Sequence, residues 1–204
     1  MLSKTLLALG LALTVSSGAF AAVSEKTEEG SNYKLVYPVV SLENESAAKK
    51  INKDIKGIVI DTHKRLKNKR PTYEEVGTDY EIISETDDYI NLVMISWDYA
   101  GGAHGMHYDY GIVYDKATGE RLPYTHFTKE VTAAELYDGI KSKKYSVYCG
   151  DRKTPSEAPF VSYIEKENFK VSDYYILQDG KVYLMYLPYD LDCYAAGTTY
   201  VELK

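Results

Sequence analysis

The stretch Ile95–Tyr110, ISWDYAGGAHGMHYDY, constrains this chain most. The apolar and aromatic runs on either side, Tyr89 to Tyr99 and Met106 to Tyr114, have the composition of strands. Between them Gly101, Gly102 and Gly105 let the backbone reverse or approach another group closely, since glycine has no Cβ to clash. The single tryptophan, Trp97, and two of the four histidines, His104 and His107, lie in the same stretch. Two antiparallel strands meeting at a glycine joint are the expectation.

Around this joint the apolar periodicity changes twice. Tyr33 to Val40 alternates as a strand, with Pro38 marking its edge or exit. From Leu42 to Asn68 the apolar residues Ala47, Ala48, Ile51, Ile55, Val59, Thr62 and Leu66 recur at three and four, which predicts the longest helix, capped by Asn44 or Ser41. Gly57 stands inside that helix at a cost of about 1 kcal/mol against alanine. After Pro71 a meander follows: Tyr73–Ser84, Tyr89–Tyr99, Met106–Tyr114, and a turn at Asp115–Gly119. Thr128 or Thr132 caps a second helix running to about Tyr145; Cys149 to Phe160 reads as a loop. Asp179-Gly180 is a hairpin turn between Val171–Gln178 and Lys181–Leu187, before a last strand Thr198–Leu203. Strands dominate and the helices do not alternate with them, so the fold class is α+β. The expected organisation is a signal peptide over 1–21, a disordered N-terminus over 22–32, a strand-helix lobe over 33–70 and a sheet-rich lobe over 71–204.

The N-terminus sets the expected compartment. Lys4, the apolar run to Leu13 and Ala19-Phe20-Ala21 form the n-region, h-region and cleavage pattern of a secretory leader, with an uncleaved anchor as the alternative. Cleavage after Ala21 removes Lys4 and takes the formal charge from -6 to -7. That balance disfavours nucleic acid and anionic lipid and suits a basic protein partner. No other segment has the length and apolarity of a membrane span, so no stable membrane insertion is expected after cleavage. Two cysteines in an exported chain, Cys149 and Cys193, favour a disulfide over two separate buried thiols.

Catalytic signatures are weak. His104 and His107 would share a face only in a helix, and the glycines disfavour one, so no metal site is assigned there and His104 is read as bonding within a tight glycine turn. No G-x-S-x-G elbow is present, the acidic pairs fall in turns, and neither cysteine has a catalytic setting. No catalytic residue and no cofactor are assigned. With 21 tyrosines the chain is suited to half-buried sheet faces or to a recognition surface. The Pro188-Tyr189 loop, running through Leu191 and Tyr194 to Gly197, would present rigid aromatic side chains.

These residues also carry a family likeness. The helix with INKDI, then WDYAGGAHG, YDKATGE and LPYDLDCYAAG, resembles an extracytoplasmic domain pair of unknown function. That pair is found in RsiV-type lysozyme-sensing anti-sigma factors and beside PdaC-type peptidoglycan deacetylases. The likeness runs from about Tyr33 to Leu203. Only Met1 to Thr5 precedes the apolar run, so the sigma-binding segment of the RsiV type is not expected, and no length remains for a deacetylase domain. The resemblance implies an exported, non-catalytic binding module of the cell envelope that recognises lysozyme-type muramidases, with Tyr99, His104, Pro188, Tyr189 and Tyr194 as contacts. The alternatives are a peptidoglycan- or carbohydrate-binding accessory protein and, third, a metal-dependent hydrolase using His104 and His107.

Overall fold

A computed structural model describes residues 21–68, 71–150, 155 and 164–203. The expected leader and most of the Cys149–Phe160 loop lie outside the described residues. Among the described residues nine strands form two sheets and two α-helices pack against them, an α+β fold.

The first sheet has the order β1-β2-β3-β4-β5, built from β1 (Ala22–Gly30), β2 (Tyr33–Ser41), β3 (Glu75–Glu85), β4 (Tyr89–Tyr99) and β5 (Met106–Asp115). All neighbours are antiparallel except β2 and β3, which pair in parallel from Tyr33↔Val76 to Leu35↔Thr78. A parallel pair needs a long crossover, and α1 (Glu45–Lys64) supplies it. The Asn44 side chain accepts from the backbone N–H groups of Ser46 and Ala47, while His63 and Lys64 occupy the last turn, where cations suit the dipole. Ile51, Ile55 and Val59 pack α1 on Leu35, Ile90, Leu92 and Met94.

Two expectations need correction. Residues 22–30 are a strand, paired with β2 from Ala22↔Ser41 to Gly30↔Tyr33. Their charge reflects an edge position, where exposed Lys and Glu discourage further pairing, and the strand is held by Glu28, which accepts from Tyr37 Oη and Lys56 Nζ. The boundary at residue 70 also fails, because β3 to β5 belong to the same sheet as β1 and β2.

The second sheet, order β6-β9-β8-β7, comprises β6 (Val147–Cys149), β7 (Tyr175–Gln178), β8 (Lys181–Tyr186) and β9 (Thr199–Leu203). Asp179 and Gly180 both have positive φ, 52° and 72°, as a two-residue type I′ hairpin requires. Ile176, Tyr183, Met185 and Tyr200 face Val93 of the first sheet. The opposite face, with Leu184, Val201 and Leu203, packs on Leu136 and Ile140 of α2 (Ala133–Lys141), which starts at a capping box between Thr132 and Glu135. The sheets are bolted together by Asn91, fully buried, which donates to the Leu177 carbonyl at 2.7 Å and accepts from the Leu177 N–H.

Among the described residues no helix is long and apolar enough to cross a membrane. Cys149 and Cys193 are not joined in the structure. Cys149 ends β6 opposite Thr199, while Cys193 stands in an exposed turn six residues upstream of that partner.

Candidate functional site

The glycine joint and the Pro188–Gly197 loop meet. From β4, Tyr99 donates its hydroxyl to the Gly102 carbonyl at 3.1 Å, folding the joint back on the strand that leads into it. Gly101 and Gly102 have φ of 83° and 101°, the region that favours glycine. At Gly105 an added Cβ would lie 2.6 Å from the Asp98 carbonyl oxygen, so the close approach of the two strand ends excludes any side chain.

The Gly105 carbonyl is the hub. It accepts from His104 Nδ1 at 2.8 Å and from the Tyr194 hydroxyl at 2.7 Å. The His104 bond matches the expected role of a histidine in a tight glycine turn. Tyr194 also stacks on the His104 ring, centroids 3.8 Å apart and planes 17° from parallel, and meets the His107 edge at 6.1 Å. Below the cluster His107 Nδ1 lies 3.1 Å from Asp109 Oδ1, and Thr198 donates to the other oxygen of the same carboxylate. Thr198 directly follows Gly197, where the loop ends, so one carboxylate ties β5 to the loop's exit.

The loop's entry is a tight turn. Asp190 N donates to the Leu187 carbonyl at 3.0 Å, and the Asp190 carboxylate accepts from the Leu187 N–H at 2.9 Å. Proline at the second position and φ of 74° at Tyr189 follow the type II pattern, whose third position normally takes glycine. Tyr189 is held there 51% exposed, with its ring 5.8 Å from Tyr194. Pro188 and Leu191 are buried and anchor the loop.

Four of the five expected contact residues, Tyr99, His104, Tyr189 and Tyr194, thus gather at one surface, while Pro188 lies beneath it. Sequence reasoning missed Thr198, which carries no motif, and the backbone carbonyl of Gly105, which a residue type does not reveal. Chemically the surface offers aromatic faces and imidazole edges. His104 and His107 turn to different partners, and no three His, Cys, Asp or Glu side chains among the described residues gather into a metal-holding group.

The first sheet matches a known family model. Residues 24–107 fit the one described as Deacetylase PdaC, a match that takes in β1 to the start of β5, including the glycine joint, and leaves the Pro188–Gly197 loop outside it. No curated protein matches the chain. Among solved structures, a member of the DUF3298 family from Bacteroides fragilis has a TM-score of 0.55 at 12% identity, over 90% of this chain and 88% of its own. A DUF3298 family protein from Pseudomonas aeruginosa has a TM-score of 0.52 at 16% identity, again over 90% and 88%. At such identities the likeness is one of fold.

Proposed function

We propose that this chain is an exported, non-catalytic binding module of the cell envelope whose joint and loop recognise a muramidase of lysozyme type. The observation that carries the reading is Tyr189, exposed at a backbone angle that a tyrosine adopts at a cost. Strain of this kind persists where surrounding structure imposes it, and it clusters at sites that bind. Tyr194, stacked and hydrogen-bonded, loses little freedom when a partner covers it. Exposed Glu74 and Asp190 flank the cluster and agree in sign with the acidic chain, which suits a basic partner. The family-model match and the shared fold support an accessory envelope role; the muramidase and the export rest on the sequence resemblance and the leader.

Calorimetric titration of residues 22–204 with a c-type lysozyme tests the proposal. Binding at about 1 μM or tighter, weakened by salt and lost in Tyr189→Ala, is the expected result. Absence of heat at several temperatures, together with retention on purified sacculi, would overturn it in favour of a glycan ligand.

A further inference from the structure

A second concavity shares no residue with the aromatic cluster. It opens between α1 and the side chains of Tyr110 and Tyr174 and has a volume of about 300 Å³, at the lower end for small-ligand pockets. Gly57 forms part of its wall. A Cβ built there meets nothing within 4 Å, so packing does not require glycine at this helical position. The helix carries the cost of glycine, and the wall stays open.

The lining has a definite chemistry. Arg65, which follows α1, binds Asp98 Oδ2 through Nη1 at 2.7 Å, and Arg121 binds Asp54 Oδ2 through Nε at 2.6 Å. Arg65 also lies 4.6 Å from the Tyr108 ring centroid and meets the Tyr110 hydroxyl, and Arg121 meets the Tyr114 hydroxyl; each guanidinium carries five N–H donors, and those that these contacts do not engage can meet a planar anion. Arg65 is only 20% exposed in its side chain, so its charge is partly shielded from water. Asp54, whose Oδ2 accepts from both Tyr114 and Arg121, and Asp61, whose Oδ1 accepts from Lys64 at 3.0 Å, line the same space; the second oxygen of each can accept from donors beside a single negative charge, while the two carboxylates would repel a polyanion. Tyr110 and Tyr174 meet edge to face at 5.0 Å and supply an apolar wall.

The geometry points to a binding pocket for a small monocarboxylate flanked by hydroxyl or ammonium groups, as carried by a sugar acid or an amino acid. The arginines take the carboxylate, the aspartates take the flanking donors, and the tyrosines cover the carbon skeleton.

NMR titration with sodium glucuronate, L-alanine and inorganic phosphate in separate arms tests this. Saturable shifts at Gly57, Tyr110 and Tyr174 are expected for glucuronate or alanine, with a dissociation constant of about 1 mM, and the arm that saturates identifies the carrier. Gly57→Leu melts at or above the temperature of the parent, because it relieves the cost of glycine inside a helix, and weakens binding about tenfold or more; Arg121→Gln weakens it comparably. Phosphate binding as tightly as the better carboxylate, no saturation by either carboxylate, or a folded Gly57→Leu protein that binds like the parent would each overturn the assignment.

Discussion

At the scale of single residues, the Pro188–Gly197 loop sets conformation against function at Tyr189. An L-residue with a side chain at φ of 74° crowds its Cβ against the preceding peptide, at a cost of roughly 1–2 kcal/mol that glycine escapes. Tyr189→Gly is therefore expected to stabilise the protein by about 1 kcal/mol in urea denaturation, and at the same time to abolish the proposed partner binding. A tyrosine that only filled space would show the opposite sign in stability. Gly105 is under a different constraint, since its carbonyl must reach both His104 and Tyr194 while its α-carbon rests against Asp98.

At the scale of elements, β1 is held by its ladder to β2 and by a charged contact to α1. Beyond the ladder to β2, Glu28 ties it to the helix, receiving Lys56 Nζ at 2.6 Å and the Tyr37 hydroxyl at 2.5 Å. Lys56 also lies 4.5 Å from the Tyr37 ring centroid. The hydrogen bonds from Lys56 and then Tyr37 hold the Glu28 carboxyl at about 2, below its ordinary 4.5. Because the folded value is depressed, the carboxylate contributes its full stabilisation above pH 4.5 and loses it as the pH falls toward 2. Glu28→Gln should be less stable than the parent at pH 6, and the gap in urea midpoint should close as the pH is lowered through that window. A gap independent of pH would show that the contact acts through shape and not through charge.

At the scale of the whole molecule, the two sheets approach so closely that Gly111 has no room for a side chain. A Cβ there would stand 2.3 Å from Met185 Sδ and 2.5 Å from the Tyr175 carbonyl oxygen. The first neighbour is a flexible thioether, but the second is backbone of β7, which Asn91 fixes from the other sheet through Leu177. Gly111→Ala must therefore push the sheets apart, and it is expected to cost about 2–3 kcal/mol in a denaturant titration. The same packing sets where β8 ends and where the loop that follows begins, so the aromatic cluster should loosen with it.

Local order was legible from the residues because local chemistry dictates it. Asn44 and Thr132 cap the helices, Asp179-Gly180 turns the β7–β8 hairpin, and the apolar and aromatic run Tyr89–Tyr99 marks a strand whose bounds match β4. The α+β class follows from those elements and their order. The tertiary structure alone decided that charged residues 22–30 add a strand and that β2 and β3 run parallel. It also brought together the loop tyrosines with the glycine joint, and the two arginines with Gly57. Tyr194 and Gly105 are 89 residues apart along the chain, and neither residue type announces the other. Caps, turns and alternation are properties of neighbouring residues, whereas these meetings depend on sheet order and on the gap between packed sheets, which only the folded chain fixes.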